Sequence, residues 1–161
     1  MELKKFFLIF FSVFFLDQCI KFFFYSYCNG VEGRIVWESQ IFSLLLVFNK
    51  GVAFSFLSFL GGFLKFIQLF AIIFVAFILY KQKEFFLQNI VAFACIFAGG
   101  ISNLLDRFVY GGVVDYVYWH YYFEFAVFNF ADVVIDLGAG LLLLRVFRGY
   151  SNQSVSSSAK K

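Results

Sequence analysis

Long apolar runs broken by short polar clusters alternate along this chain, and that alternation predicts its elements. Residues 6–25 (FFLIFFSVFFLDQCIKFFFY), 60–80, 85–105 and 127–147 are each long enough to cross a hydrocarbon layer ~30 Å thick as a helix rising ~1.5 Å per residue. Between the first two runs, residues 26–58 change texture to Gly, Glu, Arg and Trp. Within them Arg34–Trp37 and Ile41–Phe48 are β-branched and aromatic and bounded by turn residues, which predicts short strands outside the membrane. A second outer connection, residues 106–126, breaks at Gly111-Gly112 and continues as a strand-like VVDYVYW. Its Tyr116, Tyr118, Trp119, Tyr121 and Tyr122 form the aromatic belt expected at headgroup level. The polar tail 151–161 (SNQSVSSSAKK) reads as disordered.

Composition makes this an integral membrane protein of one compact domain, residues 1–150. Of 161 residues, 63% are hydrophobic and 14% charged, against roughly half and a quarter in soluble domains. The 29 Phe residues read as lipid-facing bulk, and no proline is present to break a helix. The charge of +3 matters less than its placement: Lys4/Lys5, Lys81/Lys83 and Arg145/Arg148 sit at ends of apolar runs. By the positive-inside rule they place both termini in the cytoplasm. A cleaved signal peptide is the rival for the first run, but its apolar stretch continues into Leu16-Asp17-Gln18-Cys19 where a cleavage site calls for small residues. The three cysteines show no CxxC spacing, leaving a Cys19–Cys28 bridge as the one pairing to consider, and no metal or cofactor is expected. The single histidine, His120, lies among Tyr and Trp and reads as a satisfied interfacial side chain.

Against this background the acids stand out, since ionisable groups at membrane depth are costly. Asp115 lies in GGVVDYV and Asp132 opens the fourth run in FNFAD. Two carboxylates held close in a low dielectric share one proton, which is the arrangement of aspartic proteases: one activates water while the protonated one polarises a carbonyl. Asp132 has a competing reading, an N-terminal capping pair with Asn129 three residues before it. Asp17 and Lys21, one helical turn apart, either lower each other's burial cost or buttress the site. Asn49-Lys50-Gly51 is a turn or bulge in which Gly51 supplies positive φ, either a hairpin tip or a substrate-contacting loop. Asn103, Asp106 and Arg107 gather on one helical face; the last two could merely anchor a helix end in the headgroups. Asp136, one turn below Asp132, is expected to face the bundle interior. A four-helix transporter or scaffold is the non-enzymatic alternative, and it calls for polar residues along whole spans, whereas here they gather at the outer end.

The segments LDQCIK, NKGVAFSF, GGISNLLDR, GGVVDYV and FNFAD, in this order, resemble the sequence boxes of the lipoprotein signal peptidases (signal peptidase II), bacterial inner-membrane aspartic endopeptidases. The resemblance covers roughly residues 14–136. It implies a mainly α membrane fold, a four-transmembrane-helix bundle with a small extracytoplasmic β-cradle and a short periplasmic helix. It implies Asp115 and Asp132 as the catalytic dyad, with supporting or substrate-contacting roles for Asp17, Lys21, Asn49, Gly51, Asn103, Arg107 and Asn129. The implied reaction is cleavage of lipidated prolipoproteins just before the diacylglyceryl-modified cysteine, by a monomer among membrane lipids, with no nucleic acid, and with the site on the periplasmic side. A different intramembrane aspartic protease is the runner-up, separated by whether cleavage needs prior lipidation. Two departures from the boxes, Val52 for a common Ala and Ser102 for the usual Gly, bear on close packing.

Overall fold

In the computed structural model, which describes residues 1–51 and 58–158 and the side chains of 1–51 and 60–148, helix α1 (Glu2–Tyr27) buries only Asp17, Lys21 and Phe24. Spaced i, i+4 and i+7, these lie on one face, while Phe7, Leu8, Phe11, Phe15 and Phe22 are exposed. The usual pattern is inverted: the outside is apolar and the buried stripe largely polar. That is the arrangement for a helix in lipid, where apolar surface gains nothing by association and polar groups are what must be hidden and paired.

Among the described residues three helices are long and apolar enough to cross a membrane: α1, Leu60–Lys81 containing α2 (Leu64–Lys81), and α4 (Ile90–Val109). A 3-10 turn at Ser58–Phe63, kinked at Gly61 (φ 49°), leads into α2. The run expected as one span over 85–105 is divided. A short α3 (Lys83–Gln88) ends at Asn89, whose side chain donates to the Phe85 carbonyl at 2.8 Å and competes with the helical ladder. At the other end α4 continues to Val109, so Asp106 and Arg107 belong to the helix and not to the outer connection. Helix α5 starts at Phe130, three residues later than expected, because Phe128 is held in extended pairing with Val117. It runs to Ser158, through the segment expected to be disordered, since adding a turn to an existing helix avoids the cost of nucleation. The side chains of that segment, residues 159–161 and the departure at Val52 lie outside the described residues.

Helix α4 is central, buried along more than half its apolar length, whereas α1 and α2 expose most of theirs. Small residues let α5 approach it. A Cβ on Gly99 would stand 2.6 Å from the Ala131 carbonyl, and one on Gly138 2.7 Å from the Ala92 carbonyl.

The strands come where the alternation places them: β1 (Ile35–Glu38), β2 (Phe42–Asn49) and β3 (Val113–Trp119) form one antiparallel sheet in that order. Register pairs Val47 with Asp115 and Asn49 with Val113. The sheet has a small core of Cys28, Leu46 and Val114, with Val36, Phe48 and Tyr110 around it. It is fixed to the helices by Phe24 stacking on Tyr116, ring centroids 4.4 Å apart, and by the Phe130 N–H donating to the Tyr116 hydroxyl at 3.0 Å. All three cysteines are free: Cys28 is in that core and Cys19 faces outward, so the pairing considered above does not form. His120 is partnered by Ser43, Nε2 to Oγ at 2.9 Å.

Candidate active site

The N-terminus of α5 begins with a reciprocal cap. The Asp132 N–H donates to Asn129 Oδ1 at 3.0 Å, and the Asn129 N–H donates to Asp132 Oδ2 at 3.1 Å, satisfying donors that the first helical turn leaves open. The capping reading is therefore correct, and it does not compete with a role in the site. Asn129 uses its oxygen for the cap and keeps its amide free to donate to Asp115 Oδ1 at 2.6 Å, while Asp132 Oδ1 accepts from Asn103 Nδ2 at 2.8 Å. Asn129 also donates to Asn103 Oδ1 at 3.2 Å. Asp115 from β3 and Asp132 from α5 are thus joined through two asparagine amides.

Both aspartates line one cavity of ≈ 600 Å³, together with Asn49, Asn103 and Arg107. Its lining also includes the apolar side chains Leu64, Ile67, Ala71, Val133 and Ile135. Asp136 lines it as well, one turn deeper than Asp132. Asp115 is almost completely buried. Burial, and then the charge of Asp132, push its carboxyl up to about 7, against the hydrogen bonds from Asn49 and Asn129 and the charge of Lys21. An acid so placed holds a proton near neutrality.

A loop clamp bears on Asp115 from the sheet side. Asn49 Nδ2 donates to Asp115 Oδ2 at 3.0 Å, and the Gly51 N–H donates to Asn49 Oδ1 at 3.0 Å in an Asx turn. Left-handed backbone occurs instead at Asn29, Gly30, Gly33, Gly61, Gly111 and Tyr122 among the described residues, so the φ expected of Gly51 is corrected: its buried position is served by the Asn49 side chain. Arg107 Nη2 donates to the Gly51 carbonyl at 2.6 Å.

Behind the dyad lies a buried ionic cluster. Lys21, 1% exposed, contacts Asp17 and Asp106, each at 2.7 Å, and donates to Asn103 Oδ1 at 2.6 Å. Asp17 also accepts from the Ala131 N–H at 2.9 Å and from Ser102 Oγ at 2.6 Å; Asp106 accepts from Gln18 at 3.0 Å and from the Val114 N–H at 3.2 Å. Lys21 thus contacts the asparagine that donates to Asp132, and Asp17 accepts from the first turn of α5. Asp106 is no headgroup anchor: it is fully buried and turned away from Asn103 and Arg107, which face the cavity. Ser102 changes more than packing, because its hydroxyl joins α4 to α1 through Asp17 and Gln18.

The structure brings all nine residues singled out in the sequence to this cavity or directly behind it. Gln18 and Gln68 escaped, the latter accepting from Arg107 Nη1 at 2.9 Å, while Asp106 reads in the sequence only as part of a polar helix face and Ser102 only as a packing change. The available signal was a polar side chain within an apolar span, which requires a partner wherever it occurs.

Residues 9–148 match the family model described as signal peptidase (SPase) II. The chain belongs to the signal peptidase II family. Members named lipoprotein signal peptidase include one from Helicobacter pylori (strain P12), 51% identical over 139 residues that cover 86% of this chain and 84% of that protein. Another, from Wolinella succinogenes, is 48% identical over 139 residues, covering 86% and 90%. A solved structure described as a bacterial membrane enzyme determined by the in meso method at 2.3 Å resolution superposes with a TM-score of 0.78 at 26% identity, covering 92% of this chain and 91% of that one. Family membership makes this a membrane peptidase of aspartic type, in agreement with a site built on carboxylates and amides. Among the described residues no cluster of His, Cys, Asp and Glu could hold a metal ion.

Proposed function

We propose that this protein removes the signal peptide from diacylglyceryl-modified prolipoproteins, cutting just before the lipidated cysteine, with Asp115 and Asp132 as the catalytic pair. The observation that carries the reading is that two carboxylates from different elements open onto one cavity and are linked through Asn129 and Asn103. Asp132, at a helix N-terminus and accepting from the Asn129 N–H, is the ionised partner and takes a proton from the attacking water. Asp115, protonated, donates to the carbonyl oxygen as the tetrahedral intermediate forms. Collapse transfers a proton to the leaving amide nitrogen, giving the signal-peptide carboxylate and a lipidated cysteine with a free amine. Asn49, Asn129 and Asn103 orient the carboxylates; Gly51 and Arg107 hold Asn49; Asp17 and Lys21 hold Asn103 and the start of α5.

The cavity supports such a substrate. Its lining combines the two acids with apolar side chains from α2 and α5, which suit acyl chains or the apolar part of a signal peptide, whose binding energy can be used to orient the scissile bond. In this reading α5 is a fourth span, both termini are cytoplasmic, and the sheet and dyad face the periplasmic side of the bacterial inner membrane, with the protein acting as a monomer. The test is cleavage of a lipidated and an unlipidated precursor by the purified protein and by Asp115→Asn and Asp132→Asn. Only the lipidated precursor should be cut, and neither variant should cut it although both insert normally. Turnover by both variants would refute the dyad; equal cleavage of the unlipidated precursor would point to a different intramembrane aspartic protease.

A further inference from the structure

We infer that Gln68, on the largely exposed helix α2, is a positioning residue for the dyad, acting on Asp115 through Arg107, Gly51 and Asn49. This rests on the reading that Asp115 is catalytic.

Gln68 lines the cavity, and its amide works in two directions. Nε2 donates to the Gly100 carbonyl on α4 at 2.9 Å, which fixes the side chain, and Oε1 accepts from Arg107 Nη1 at 2.9 Å. Arg107 then reaches the Gly51 carbonyl through its other terminal nitrogen at 2.6 Å. Gly51 in turn decides which way Asn49 points. Its N–H donates to Asn49 Oδ1, so the amide nitrogen is turned toward Asp115 Oδ2. Each link is a directed donor–acceptor pair, so the chain transmits orientation and not merely proximity. An arginine has a planar fork with several donors and no acceptor. With Oε1 in place one arm is occupied and the other is aimed at the loop; without it, the Nη1 arm is free to turn toward the carboxylates that share the cavity wall and to draw the other off the Gly51 carbonyl.

Gln68 could alternatively be only an adhesive between α2 and α4. The two roles use different atoms: adhesion needs the donor to Gly100, positioning needs the acceptor for Arg107. Substitutions separate them. Gln68→Glu keeps the acceptor and loses the donor, Gln68→Lys keeps a donor and loses the acceptor, and Gln68→Leu loses both.

The experiment measures kcat and KM of the full-length protein in bicelles on a lipidated precursor peptide, with thermal unfolding of each variant alongside and Asp115→Asn as reference. Gln68→Leu and Gln68→Lys should lower kcat roughly tenfold with KM changed less than about twofold, and Gln68→Glu should recover most of the rate. The inference is overturned if Gln68→Leu is as fast as the parent, if Gln68→Lys is restored and Gln68→Glu is not, or if the rate loss only follows the loss of folded protein. Should Asp115→Asn retain full turnover, the function reading itself fails, whatever the Gln68 variants do.

Discussion

Asparagine, not aspartate, is the residue that organises this site. Asn129 is a cap, a donor to Asp115 and a donor to Asn103 at once, and no other side chain of similar size offers an acceptor and two donors in those directions. Asn129→Ala should remove the cap, at about 1 kcal/mol, and release the Asp115 carboxyl. Activity is expected to fall far more than stability, which paired rate and unfolding measurements will show. Asp115 also makes a pH prediction. Its carboxyl is raised from 3.8 to about 7, so the acid form the reaction needs is present below that value and is lost as pH rises through it. The rate of cleavage should therefore decline on the alkaline side with a midpoint near 7. A flat profile to pH 9 would show that Asp115 does not act as the acid. At this scale the sequence was informative, because a carboxylate or amide in an apolar run has few structural uses. It was silent on direction: the i, i+3, i+4 spacing of Asn103, Asp106 and Arg107 puts three groups on neighbouring helical positions, but only packing turns Asp106 toward Lys21 and the other two toward the cavity.

The helices are held by two devices at opposite ends of the polarity scale. One is the ionic cluster of Lys21, Asp17 and Asp106, which ties α1 to α4 and, through the Ala131 N–H, to α5. Lys21→Met leaves two buried carboxylates without their cation, and breaking a buried pair in this way costs about 3–5 kcal/mol. Loss of folded protein in detergent is the expected result, with Asp132 left without its bracing. The other device is close backbone approach. Gly99→Ala and Gly138→Ala each force a methyl to within 2.6 or 2.7 Å of a carbonyl on the facing helix and should lower the unfolding temperature, whereas Gly140→Ala, with nothing within 4 Å, should not. Helix-forming runs and strand alternation were plain in the sequence. The division between α3 and α4 was not, because Asn89 breaks the ladder with its own side chain and leaves apolar content unchanged. The start of α5 was displaced by a bridge to β3, a tertiary contact that no local pattern encodes.

Across the whole molecule, a lipid-exposed surface of Phe, Ile and Leu encloses a polar interior that lies where the helices meet the sheet. Each part supplies what the other lacks: β3 brings one acid, α5 the other, and α4 carries the asparagine and arginine between them. No stretch of chain contains the site, which is why spacing alone left Asp132 open to a capping explanation and why only the order of five separated segments pointed to a family. The same design buries Asp115 almost completely beside a second acid, where two negative charges are hard to sustain and Asp115 keeps a proton toward neutral pH. Infrared difference spectroscopy of the protonated-carboxyl band, across pH 5 to 9, tests that state most directly. The account predicts a band that titrates near pH 7 in the parent protein and is lost in Asp115→Asn, while in Asp132→Asn, where burial remains and the neighbouring charge is gone, it persists but titrates at lower pH. A band that survives unchanged in Asp115→Asn, or none in the parent protein at pH 5, would contradict it.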